Sequence, residues 1–140
     1  MRVAELALLV ATLSLGTAGV FAHAEAGQAK FKQEHPGNVA LIEDSEGFTY
    51  RLAATGFRLY VSDRDGPNKS NCVGGCASAW VPLEVSTADS KPVGDWTIFK
   101  RDDGKRQWAY RGRPVYTLFH DSAERPIGNG VEGKWHYLEP

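Results

Sequence analysis

Apolar and polar residues alternate along this chain in short stretches divided by turn-forming residues, and that pattern predicts strands. Val39-Ala-Leu-Ile42 is an apolar run that reads as a strand closed by Glu43-Asp-Ser-Glu-Gly47. Phe48-Thr-Tyr-Arg-Leu52 and Phe57-Arg-Leu-Tyr-Val-Ser62 alternate at period two across Thr55-Gly56, as in a hairpin or meander. Ala77-Ser-Ala-Trp80 suits one helical turn that Val81-Pro82 would stop. Trp96-Thr-Ile-Phe99 and Gln107-Trp-Ala-Tyr110 flank an Asp102-Asp-Gly104 turn and predict a hairpin. Pro114-Val-Tyr-Thr-Leu-Phe119 and Trp135-His-Tyr-Leu138 complete about seven strands, the first of these two beginning at an edge because proline cannot donate to a ladder. The expected fold is a small antiparallel all-β domain with little helix.

Part of this pattern occurs twice. Gly56-Phe-Arg-Leu-Tyr60 ends in Tyr with Asp65 five positions on, and Gly112-Arg-Pro-Val-Tyr116 ends in Tyr with Asp121 five positions on. Trp80 and Trp135 follow the two Asp residues at nearly equal distances. The matches predict two pseudo-repeated β-units, about 39–83 and 96–138. Neither unit is large enough to cover its own apolar face, so the two should pack together. Trp80, Trp108 and Trp135 are the expected structural aromatics.

The N-terminus carries an address. A positive start at Arg2, an apolar run from Leu6 to Leu15, and the A-x-A sequences Ala22-His23-Ala24 and Ala24-Glu25-Ala26 describe a secretory signal peptide over residues 1–24. Which A-x-A is cut stays open. Residues 25–38 are polar and read as a flexible leader, leaving 39–140 as the β domain. Once the signal is removed no stretch could cross a membrane. The expected location is the periplasm or outside the cell.

Composition narrows the function classes. Of 140 residues, 42% are hydrophobic and 24% charged, which suits a globular domain. Sixteen Lys and Arg against 17 Asp and Glu give a net charge of −1, too little positive charge for a protein that must neutralise many phosphates. No nucleic-acid partner is expected. Cys72 and Cys76 are the sole cysteines. In an oxidising compartment they should pair, and Gly74-Gly75 between them permits the tight loop. A redox pair usually has two intervening residues, and c-type haem attachment needs a His where Ala77 stands.

Leu59-Tyr-Val-Ser-Asp-Arg-Asp65, Ser70-Asn-Cys-Val-Gly-Gly-Cys-Ala-Ser-Ala-Trp-Val-Pro-Leu83 and Asp103-Gly-Lys-Arg-Gln-Trp-Ala-Tyr-Arg-Gly-Arg-Pro-Val-Tyr116 carry a resemblance, together with Gly130–Tyr137. Over roughly residues 38–140 the chain resembles the bacterial secreted-repeat family, also known as predicted lipoproteins with a Y-x4-D motif. The resemblance implies an exported bacterial protein of unknown activity with no agreed catalytic residues. No Cys follows the apolar run to take a lipid, and Val81-Pro82 stands where the family often has two prolines.

The candidate chemistry is thin. Tyr60/Asp65 and Tyr116/Asp121 could form a paired ligand site. The structural alternative has each buried ring seeking a partner for its hydroxyl and each Asp holding a turn through backbone N–H groups. The residues favour the structural role. His120 and His136 are the candidate metal ligands, with Asp121 and His35 as helpers, but their spacing fits no local metal motif. Lys100–Arg113 carries six basic residues around Trp108 and Tyr110 and reads as the solvated face of a hairpin. No phosphate loop, H-E-x-x-H, G-x-S-x-G or paired-carboxylate arrangement is present. The expectation is a non-enzymatic exported envelope protein without a cofactor, binding an envelope protein or small ligand or serving a structural role. The alternative is a metal- or redox-associated periplasmic accessory protein.

Overall fold

A computed structural model describes residues 34–89 and 91–140. The signal peptide expected over residues 1–24 and the leader as far as residue 33 lie outside the described residues. The leader's end is packed: Pro36 is buried and its carbonyl accepts from Val39 N–H at 3.0 Å.

The described residues form three antiparallel sheets, one five-residue helix and a 3-10 turn. The first sheet is the hairpin of β1 (Val39–Asp44) and β2 (Gly47–Leu52), in register from Val39 opposite Leu52 to Asp44 opposite Gly47. Strand β1 runs two residues past Ile42. Glu43 is exposed and Asp44 is ion-paired with Arg51 and Arg58, so polarity does not end the ladder there, and Asp44 Oδ1 ties the turn by accepting from Glu46 N–H.

The predicted strand from Phe57 to Ser62 is divided. Its start meets β2 through a single bridge, Arg51 opposite Arg58, and only β3 (Tyr60–Ser62) is a strand proper. Arg58 explains the change of partner. Its buried guanidinium pairs with Asp44 at 3.3 Å and lies over the Tyr137 ring, drawing the chain from the hairpin towards the last strand.

Helix α1 (Gly75–Ala79) begins earlier than the sequence suggests and includes Cys76. Trp80-Val-Pro82 does more than stop it: this segment is strand β4. Pro82 is tolerated because β4 is an edge. Strands β5 (Trp96–Lys100) and β6 (Arg106–Tyr110) form the expected hairpin, extended by β7 (Arg113–Pro114). The predicted strand from Pro114 to Phe119 is split at Val115, whose N–H turns to Trp108 O while its carbonyl accepts from Leu83 N–H. Strand β8 is Tyr116–Leu118 and β9 is Trp135–Tyr137.

The central sheet has the order β4-β8-β3-β9. Its register is matched about the β8–β3 pair. Tyr60 faces Tyr116. Trp80 lies opposite Leu118 and Val81 opposite Thr117, as Trp135 lies opposite Ser62 and His136 opposite Val61. Flanking backbone bonds match too. Phe119 N–H donates to Ala79 O, and Asp63 N–H to Lys134 O; Leu83 N–H donates to Val115 O, and Leu138 N–H to Leu59 O. Every pair is related by a shift of 55 or 56 positions.

Two apolar clusters result, because successive strand residues face opposite sides. Leu59, Val61, Val115, Leu83 and Leu138 pack with Tyr50, Trp96, Trp108 and Tyr110. Tyr60, Tyr116, Trp80, Trp135 and Cys72 form the second cluster.

Candidate functional site

The second cluster gathers most of the residues singled out in the sequence, in an order the sequence does not show. Tyr60 Oη donates to Asp121 at 2.6 Å, and Tyr116 Oη donates to Asp65 at 2.7 Å. Each Tyr-x4-Asp segment therefore satisfies the other. The Asp residues also hold turns in the same way: Asp65 accepts from Asn71 N–H and Asp121 from Ile127 N–H, each six positions on. Burial first, and then the facing carboxylate, push both phenols well above the ordinary tyrosine range. Burial raises the Asp65 carboxyl as well.

The rings are as regular. Trp80 and Trp135 stack with centroids 3.8 Å apart and planes 5° from parallel. Tyr60 meets Trp80 edge-on at 5.4 Å, and Tyr116 meets Trp135 edge-on at 5.1 Å. Trp108 belongs to the other cluster, fully buried beside Trp96, with its indole N–H unpartnered.

The two ends of the cluster differ in their supports. Near Tyr60, Gly128 N–H donates to the phenol oxygen at 3.3 Å, and a Cβ on Gly128 would come within 2.6 Å of the Tyr60 ring. At the other end, Ser70 Oγ shares a hydrogen bond with Tyr116 Oη. Ser70 also accepts from Arg101 Nη1, which donates to Gln107 Oε1 too, while Nη2 reaches Cys72 O. Arg101 is only 5% exposed, so the basic segment 100–113 is not wholly a solvated face. Its other five cations are exposed. Nothing in the residue pattern distinguishes Arg101 from them; Ser70, Gln107 and Gly128 were likewise without a signal.

Cys72 and Cys76 are joined in a disulfide. Cys72 is buried against Trp80, and Cys76 is part-exposed at the start of α1. The two histidines point to separate surroundings. His136 Nε2 bonds Asp63 at 2.6 Å, and Asp63 also takes Arg113. The His136 contact and the nearby cations hold the Asp63 carboxyl below its ordinary value. His120 packs its ring at a tilt against exposed Phe119, from a left-handed backbone conformation, φ 62°. Among the described residues no three His, Cys, Asp or Glu side chains form a group that could hold a metal.

Two grooves flank the cluster. One, of about 200 Å³, lies between Asp65-Gly-Pro67 and the turn at Arg111–Arg113. The other, of about 450 Å³, lies between Leu118–Asp121 and the turn at Thr55–Phe57. The shift of 56 relates their linings, Asp65 to Asp121 and Arg113 to Phe57. Their chemistry is opposite: the first is rimmed by arginines, the second by Leu52, Phe57, Leu118 and Phe119.

Residues 97–139 match a family described as a secreted repeat of unknown function. The secreted-repeat segment runs from β5 to the end of β9 and holds Trp108, Tyr116, Asp121 and Trp135. No curated protein and no solved structure matches the chain. The family description is that of a secreted protein, and among the described residues no helix is long and apolar enough to cross a membrane.

Proposed function

We propose that the chain is an exported, non-enzymatic envelope protein, periplasmic or released, that works as a binding module. One observation carries the reading: the residues best suited to chemistry are turned inward and bonded to one another, whereas the two grooves around them differ in character. Tyr60, Tyr116, Asp65 and Asp121 spend their polar atoms on holding loops together. That arrangement makes a rigid frame, and rigid frames present binding loops well. On this reading residues 39–83 and 96–138 are duplicated units, the second of which contains nearly all of the matched secreted repeat. Duplication supplied two grooves, and substitution then gave one an Arg rim and the other an aromatic rim.

Photo-crosslinking residues at positions 113 and 119, introduced into the chain exported by its own host, test this. The expected result is a discrete adduct, protein or small molecule, from at least one groove and absent from a control at exposed Lys91. Adducts indistinguishable from the control at both positions would overturn the reading. So would a stoichiometric metal after native purification that is lost in His120→Ala and His136→Ala.

A further inference from the structure

The second cluster is also a continuous row of oxidisable rings. Tyr60, Trp80, Trp135 and Tyr116 follow one another at 5.4, 3.8 and 5.1 Å between centroids. Tyr137, half-buried and 5.5 Å from Tyr60, brings the row to the surface. Indole and phenol are among the side chains that give up one electron most readily. A phenol does so only if its proton has somewhere to go, because the radical cation is a very strong acid. Both inner phenols are hydrogen-bonded to a carboxylate, at 2.6 and 2.7 Å. The other cluster is a built-in contrast. It too packs Trp96 and Trp108 with Tyr50 and Tyr110, but there the Tyr110 phenol pairs with the Tyr50 phenol.

We propose that the row Tyr137–Tyr60–Trp80–Trp135–Tyr116 is a one-electron relay that quenches oxidising radicals, with Asp121 and Asp65 as its proton acceptors. A one-electron oxidant at the surface is reduced, and the stacked indoles become a radical cation. Tyr60 or Tyr116 then returns one electron to the indole. Its O–H bond breaks, and the proton forms a new O–H bond on Asp121 or Asp65. The products are a neutral phenoxyl radical, a carboxylic acid and a restored indole. A one-electron donor of the thiolate class reduces the phenoxyl radical, and the proton moves back to it. The net change is one electron from the thiolate to the oxidant. This redox turnover is additional to the binding role and departs from its non-enzymatic character, and it is independent of any partner in the grooves.

Pulse radiolysis of the full exported chain with the azide radical, which oxidises indoles, tests the relay. The expected trace is a decay of the indole-radical band matched by a rise of the phenoxyl band, at a rate independent of protein concentration. The fast rise should survive in Tyr50→Phe/Tyr110→Phe and vanish in Tyr60→Phe/Tyr116→Phe. In Asp65→Asn/Asp121→Asn, which keeps every ring, it should slow by roughly 10²-fold, the low end of what a positioned proton acceptor contributes. Heavy water should slow it in the unaltered protein, a readout that requires no variant to fold. The relay is refuted by a wild-type protein that forms no fast phenoxyl signal, or by a fast rise lost in Tyr50→Phe/Tyr110→Phe. It is equally refuted by a rate that ignores both heavy water and the two carboxylates.

Discussion

Removing a single hydroxyl at each end of the ring row should give unequal losses of stability. Tyr60→Phe leaves the packing in place and takes the phenol from Asp121, a residue only 7% exposed that then keeps Ile127 N–H alone of its two donors. The buried Gly128 N–H loses its acceptor in the same stroke. A hydrogen bond to a charged group is worth about 1.5–3 kcal/mol, and a stranded buried donor adds to that, so a loss of about 3 kcal/mol is expected. Tyr116→Phe takes the phenol from Asp65, which is half-buried and can turn to water. Ser70 Oγ keeps Arg101 and Cys72 N–H. The expected loss there is about 1–1.5 kcal/mol. Urea unfolding reads both, as a fall in midpoint with an unchanged slope. A double-mutant cycle with Asp121→Asn should show coupling at Tyr60 of about 1 kcal/mol or more, and none at Tyr116. Equal losses in the two variants, or losses below about 0.5 kcal/mol in both, would refute the assignment of the carboxylate bonds.

Gly128→Ala should lower stability by about 1–3 kcal/mol, because its new methyl meets the Tyr60 and Trp80 rings, while Gly37→Ala, with open space around it, should be neutral by the same denaturation assay. Arg101→Met should cost about 3 kcal/mol, since it strands Gln107 Oε1 in the interior and leaves Cys72 O only a long bond from Ser70 Oγ; an effect under about 1 kcal/mol would show that the network is dispensable. Replacing both cysteines by alanine should cost about 2 kcal/mol, the chain-entropy value for so small a loop, with no change in export. The burial-raised Asp65 acid keeps its proton in the folded state above its ordinary value of 3.8, so its contribution weakens folding as pH rises through that window. Asp65→Asn should therefore gain stability relative to wild type as pH rises above that ordinary value; a flat or falling difference in melting temperature would contradict the burial of this carboxyl.

Strand positions were legible in this sequence because alternation at period two is a local signal. Trp96–Phe99, Gln107–Tyr110 and Trp135–Tyr137 fall where that signal puts them. Pairing was not legible, since it is decided by residues far away in sequence. Phe57–Ser62 alternates as a partner for β2 should, yet Arg58 engages Asp44 and Tyr137 and hands β3 to β8 and β9. The strand at Trp80–Pro82 was hidden by a proline whose meaning depends on whether the strand is an edge. Arg101 shows the same limit for the site. A cation among cations carries no mark of burial until Ser70, Gln107 and Cys72 O are known to surround it.

The crossed Tyr–Asp bonds tie the two matching segments to one another. Were each Tyr bonded to the Asp of its own segment, one unit could satisfy its polar atoms alone, and a second copy would add only apolar contact. With the bonds exchanged, a solitary unit would bury a phenol without its acceptor and leave its carboxylate with the N–H of its own loop alone. Such groups cost more than a made hydrogen bond returns, so the half-structure is penalised, not merely less stable. The stacked Trp80 and Trp135 act in the same direction, because each indole covers the face that the other would leave wet. Folding should therefore be all-or-none across residues 39–138. The grooves on either side are free of that constraint, and they are where the matching positions differ, with an Arg rim on one and Phe57 and Phe119 on the other.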